Sequence, residues 1–180
     1  MDEAVTEFIN SAAGMNPALD TLMRGVTYIG VPLMVLLCAV QWWSGRDRLH
    51  LRHILVAAGL SSIAGLAVNQ IILLFVHRTR PYDAGTTHLI VPPSADWSFP
   101  SDHATMAFAI VATFVLHAER RQAAVFAIVA LLVSWSRIYV GTHYFGDILG
   151  GVVTGVIGGL LVRWLYPEGS RLDRLLTNLL

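Results

Sequence analysis

Between Gly25 and Trp43 the chain runs through nineteen residues without one formal charge. Comparable apolar stretches recur at His53–Val76, Ala104–His117, Ala123–Trp135 and Ile148–Leu165. A helix needs about 20 mostly apolar residues to cross a bilayer core, whereas a barrel strand needs only about 10 that alternate in polarity. Lipid offers no partner to a free backbone N–H or C=O, so apolar runs of this length commit the chain to helix. The fold class that follows is all-α: a polytopic membrane helix bundle of about five transmembrane helices. The third run becomes long enough to span if it starts near Ser101.

The first ~20 residues are too polar to span, but Val5, Phe8, Ile9, Ala12 and Ala13 follow a helical spacing. They read as an amphipathic helix lying in the membrane interface. The whole chain, 1–180, reads as one integral-membrane domain, with residues 1–20 interfacial and 168–180 a cytoplasmic tail. Gly151, Gly155 and Gly159 are spaced for close helix packing. The acidic opening "MDEAVTEF" lacks the basic start of a cleavable signal peptide. The lone Cys38 lies in an apolar run and leaves no intrachain disulfide to form.

Only 13% of the residues are charged and the net charge is zero, which removes the global basic field that nucleic-acid binding calls for. All twelve basic residues are arginines. Eight of them (Arg46, Arg48, Arg52, Arg120, Arg121, Arg163, Arg171 and Arg174) fall on alternate connections, which places that side in the cytoplasm. Arg78, Arg80 and Arg137 fall on the opposite, outer side, against the bias. Charge at membrane depth marks function by default.

Three polar clusters converge on that outer face: "HRTRPY" (His77 to Tyr82), "FPSDHAT" (Phe99 to Thr105) and "SRIYVGTHYFGD" (Ser136 to Asp147). Arg78, Arg80 and Arg137 offer planar donor forks suited to phosphate oxygens. Ser101 and Asp102 open a helix, where they serve either as caps alone or together with free amides as an anion site. His143 and Asp147 stand one helical turn apart. The carboxylate can fix one ring nitrogen as donor and leave the other as a nucleophile. His103, His143 and Asp147 could also ligate a metal, but the flanking arginines would repel a cation, so none is expected. His50, His53, His88 and His117 read as solvated surface histidines.

These clusters resemble the tripartite signature of the type 2 phosphatidic acid phosphatase (PAP2) superfamily, K-x6-RP, PSGH and SR-x5-H-x3-D. The third motif matches throughout at Ser136-Arg137, His143 and Asp147, and the second reads Pro100-Ser101-Asp102-His103, with aspartate for glycine. In the first, Arg80-Pro81 fits, while the lysine position falls on Leu73 in a chain without lysine. Arg78 is the candidate to supply that charge. "FPSDHAT", "WSRIYVG" and "EFINSAAGMNPALD" further resemble the bacitracin-resistance branch of bacterial undecaprenyl-diphosphatases.

The resemblance implies a metal-independent, cofactor-free phosphatase. His143 would attack phosphorus to form a phosphohistidine, Asp147 would orient it, and His103 would protonate the leaving oxygen and then activate water. Arg78, Arg80, Ser101, Asp102 and Arg137 would hold the substrate. The expected partner is a membrane lipid in the bilayer, a polyprenyl diphosphate such as undecaprenyl diphosphate. Phosphatidate or phosphatidylglycerol phosphate is the alternative within the class, and lipid binding without turnover the alternative outside it. The expected location is the cell's inner (plasma) membrane, with the site facing the outer or periplasmic side.

Overall fold

The computed structural model describes residues 1–43 and 47–178; Arg46, counted above, and residues 179–180 of the tail lie outside them. Among the described residues there are seven helices and no strand: α1 Asp2–Asn10, α2 Pro17–Gln41, α3 Arg48–Leu73, α4 Asp102–Leu116, α5 Arg120–Tyr139, α6 Phe145–Leu165 and α7 Arg171–Thr177. Four of these, α2, α3, α5 and α6, are long and apolar enough to cross a membrane, so the chain is a multi-span membrane protein.

α4 is the exception to the expected five full spans. It has 15 residues, about 22 Å at ~1.5 Å per residue, against a hydrocarbon core of about 30 Å. Pro100 stands before its start, and Ala118, at φ 61°, ends it. A helix that cannot reach both surfaces leaves one end recessed, and the segment between α3 and α4 folds over that end.

The opening twenty residues also divide differently. α1 is amphipathic as expected, with Thr6, Ile9 and Asn10 buried and Phe8 exposed. It packs against α5 and α6. Asn10 donates to the carbonyls of Tyr139 (2.7 Å) and His88 (3.0 Å) and accepts from the His88 amide (2.7 Å). α2 then starts at Pro17 instead of near Gly25. Asn16 caps it by accepting from the amides of Ala18 and Leu19, and proline at the first helical position lacks an N–H that would go unused there.

α6 runs through the middle of the bundle, packed on α3 and α4. Gly151 and Gly155 permit this. A Cβ on Gly151 would come within 2.6 Å of the Ser101 carbonyl oxygen, and one on Gly155 within 2.8 Å of the Ala109 amide nitrogen. The third close approach is at Gly158, against the α3 backbone at Gly65, and is tighter than the one at Gly159. Glycine on two faces of α6 lets it sit between two helices. α2 leans on α5 and touches α3 only sparsely, so a lengthwise furrow stays open between α2 and α3.

At the end of the bundle away from the three polar clusters, the tail is not simply extended. Ser170 caps α7 by accepting from the Asp173 amide. Asp173 binds the imidazole Nδ1 of His53 (2.9 Å), the hydroxyl of Tyr166 (2.7 Å) and the Gly169 amide (2.7 Å). His53 Nε2 lies 3.3 Å from His117 Nε2, and the Tyr166 ring stacks on His53. The expectation that His53 and His117 are solvated is therefore corrected: Asp173 of α7 holds His53 and His53 holds His117, and the two are 1% and 9% exposed. Burial opposes ionisation of Asp173. The hydrogen bonds from Tyr166, Gly169 and His53 outweigh it and hold the carboxyl below the usual range. His88 is exposed and His50 half-buried, paired with Glu168 at 2.7 Å.

Candidate active site

The recessed start of α4, the C-terminal end of α5 and the start of α6 meet under the segment joining α3 to α4. They enclose a cavity of about 110 Å³, walled by Arg80, Asp102, His103, Arg137 and His143 among others. That is room for a few waters or one phosphoryl group, given ~30 Å³ per water.

His143 lies in the turn between α5 and α6 and is buried. Its Nδ1 is 2.8 Å from the Ser98 carbonyl oxygen and 3.5 Å from Asp147 Oδ2. Both neighbours are acceptors, so Nδ1 carries the proton and Nε2 keeps its lone pair, 3.5 Å from Arg80 Nη1. The sequence spacing pairs the ring with Asp147 alone; the nearer acceptor is the Ser98 carbonyl. Burial pushes the imidazole below its ordinary pKa, the charges of Arg137 and Arg80 push it further, and Asp147 opposes them.

Asp147 is fully buried in the first turn of α6. Oδ2 accepts from the Ser98 hydroxyl and from the Tyr144 amide (2.8 Å), and Oδ1 accepts from Arg78 Nη1 (2.8 Å). Ser98 thus holds both members of the pair, one through its carbonyl and the other through its hydroxyl. Sequence reasoning did not single it out, although it stands two residues before the matched Pro100.

Arg80 is 4% exposed and donates to the Thr142 carbonyl (2.9 Å), the Asp96 carbonyl (3.0 Å) and Asp96 Oδ1 (2.8 Å). Arg137 is buried too, yet among the described residues its side chain makes no ion pair, and its Nε has no hydrogen-bond partner. The Ser101 hydroxyl, fully buried, has none either. It stands at the N-cap position of α4 without capping. The first three amides of α4 have no carbonyl one turn back to bind. A buried guanidinium and a helix N-terminus beside one small cavity make a setting suited to an anion.

Asp102 accepts from Asn69 Nδ2 (2.7 Å), and Asn69 also donates to Thr105 Oγ1 (2.9 Å). Asp102 and His103 line the cavity and also a groove of about 670 Å³ that continues between α2 and α4 past Val31, Pro32, Val35 and Met106. Below it, sharing Val35, Ala39, Leu66 and Met106, a further 340 Å³ of furrow reaches Trp42 and Leu55.

Arg78 is engaged by protein partners. Its Nη1 and Nη2 are taken by Asp147 (2.8 Å) and Asp2 (2.5 Å), its guanidinium carbon lies 3.9 Å over the Tyr144 ring, and it does not wall the cavity. Leu73, at the missing lysine's position, does wall it. Among the described residues no group of three or more His, Cys, Asp or Glu is placed to hold a metal ion.

Residues 54–171 match the PAP2 superfamily. The chain is 36% identical over 161 residues to undecaprenyl-diphosphatase BcrC of Bacillus subtilis, covering 89% of this chain and 82% of that one. It is 28% identical to the putative undecaprenyl-diphosphatase YbjG of Escherichia coli, covering 88% and 79%. Among solved structures, a transmembrane PAP2-type phosphatidylglycerolphosphate phosphatase from Bacillus subtilis superposes with a TM-score of 0.64 at 25% identity, covering 94% of this chain and 88% of that one. The chain belongs to the PAP2 superfamily. It is a multi-span membrane phosphatase acting on lipid phosphates.

Proposed function

We propose that the protein hydrolyses a polyprenyl diphosphate, undecaprenyl diphosphate foremost, to the monophosphate and inorganic phosphate. The observation that carries this reading is the apolar furrow that begins at Asp102 and His103 and continues along α2 and α3. A single long polyisoprenoid chain fits such a groove with its terminal phosphate in the cavity. The relatives named as undecaprenyl-diphosphatases support it further.

In the proposed reaction His143 Nε2 attacks the terminal phosphorus in line. The P–O bond to the lipid phosphate breaks, His103 gives its proton to that leaving oxygen, and a phosphohistidine remains. His103, now basic, takes a proton from water, whose oxygen attacks phosphorus and releases phosphate and free His143. Asp147 and Ser98 hold the His143 ring. Arg137, Arg80, the Ser101 hydroxyl and the α4 amides stabilise the equatorial oxygens. The guanidinium groups supply the positive charge, so the step proceeds without a metal ion. The arginine asymmetry supports a plasma-membrane protein with this site on the outer side.

Phosphatidylglycerol phosphate is the second candidate, favoured by the solved phosphatidylglycerolphosphate phosphatase that shares this fold. Phosphate release by the purified protein in detergent with excess EDTA, on undecaprenyl diphosphate, phosphatidylglycerol phosphate and phosphatidate side by side, decides between them. The expected result is higher kcat/KM on the diphosphate; higher kcat/KM on a glycerolipid overturns the substrate and keeps the class.

The depressed His143 pKa fixes a pH dependence. The attacking form is the neutral ring, and it persists below the ordinary histidine value of about 6.5. Activity is lost only as pH falls through the lower, folded-state value. The acidic limb of kcat/KM, corrected for ionisation of the lipid phosphate, is expected below pH ~6.5. A limb at or above that value contradicts the assignment.

A further inference from the structure

The N-terminal helix reaches the candidate site through one carboxylate. Asp2 Oδ1 accepts the Gly146 amide (2.7 Å) in the first turn of α6, and Oδ2 accepts from Arg78 Nη2 (2.5 Å). Arg78 in turn donates through Nη1 to Asp147, the carboxylate that faces His143. A second residue of α1, Thr6, accepts the Phe145 amide with its hydroxyl at 3.0 Å. α1 therefore occupies two of the free amides at the start of α6, and one of its two contacts carries charge.

We propose that Asp2 is a positioning residue for the hydrolysis, acting through Arg78 on Asp147. This rests on the reading of His143 as nucleophile and Asp147 as its orienting base. One guanidinium stands between two carboxylates, and each draws on its charge. With Asp2 present, Arg78 is held toward α1 and offers Asp147 one donor. Asp147 Oδ2 then stays with Ser98, the Tyr144 amide and His143. Without Asp2, both arms of Arg78 are free to close on Asp147 as a fork, the geometry guanidinium and carboxylate prefer. That closure draws the carboxylate away from the ring and quenches the negative charge facing Nδ1. Displacement of an orienting group by ~1 Å is enough to cost up to about 100-fold in rate. The same loss of negative charge removes what raises the His143 pKa, so the ring protonates at lower pH.

The test compares Asp2→Asn, Thr6→Val and Arg78→Gln, and the double variant Asp2→Asn/Arg78→Gln, in the full chain in detergent. Asp2→Asn keeps the volume and removes the charge, while Thr6→Val loosens the same helix from α6 without touching charge. The expected result for Asp2→Asn is a 10- to 100-fold fall in kcat with KM within about twofold, and an acidic limb moved to lower pH. Thr6→Val should leave the limb in place, and in the Arg78→Gln background the Asp2 change should no longer move it. Equal limbs in Asp2→Asn and wild type, or a limb moved as far by Thr6→Val, would show a tether only and overturn the proposal. All ratios are taken on whichever lipid phosphate the wild type hydrolyses fastest. The wild-type preference thus tests the substrate, the loss of turnover in His143→Ala tests the nucleophile, and the variant ratios test Asp2.

Discussion

Replacing His143 by alanine is expected to lower kcat by about 10,000-fold or more while leaving the protein folded and able to bind phosphate. The size follows from removing a nucleophile with no substitute within reach, a loss of the order seen when one member of a catalytic set is deleted. Binding should survive because the groups proposed to hold the anion are others: Arg137 and Arg80, which wall the cavity, with the Ser101 hydroxyl and the first amides of α4. Measurement is by phosphate release over long incubation, together with the thermal shift that inorganic phosphate gives the variant in detergent. An alanine variant with wild-type turnover would remove His143 from the chemistry and leave a lipid-phosphate binder or a different nucleophile. Wild type incubated with terminally labelled substrate and quenched in alkaline denaturant, in which a phosphohistidine survives, should retain labelled protein, and the variant should not.

Arg137→Gln should separate activity from stability in opposite directions. The guanidinium is 7% exposed and has no ion pair among the described residues. Burying a cation costs several kcal/mol of desolvation, which the charges of Asp96 and Asp102 offset only in part. In the proposed reaction the transferring phosphoryl group supplies the missing negative charge. Loss of one such preorganised contact is worth about 100- to 1,000-fold in rate. The variant is therefore expected to lose at least 100-fold in kcat/KM and yet melt at a higher temperature than wild type without ligand. Added phosphate should stabilise wild type by the usual mass-action increment and the variant much less. A variant that melts lower, with phosphate stabilisation unchanged, would mean that Arg137 is structural.

Much of this architecture is written in short stretches of the sequence. The apolar runs define the helices because lipid leaves the backbone no other partner, and the ends of α3 and α6 fall within a few residues of the expected spans. The polar clusters define the site because charge is so costly at that depth that its positions stand out. The parts not legible are those set by long-range contact. Ser98 is one serine among several until the fold brings its carbonyl to His143 and its hydroxyl to Asp147. Arg78 sits in the right motif, but Asp2 and Asp147 decide which way it faces, and Asp2 is 76 residues away in sequence. His53 and His117 look solvated until the fold brings Asp173 of α7 to His53 and His53 to His117. α4 is short because of Pro100 and the turn at Ala118, which a hydropathy window averages away.

The cavity and the furrow share Asp102 and His103 as a common wall but are otherwise separate spaces, one polar and small, the other apolar and long. For inhibition this means two independent footholds. An oxyanion can fill the first from water while an amphiphile lies in the second from the bilayer, and neither need exclude the other. Joining the two through a short spacer across His103 makes the second contact intramolecular. The effective concentration gained, rather than any new contact, would then set the potency.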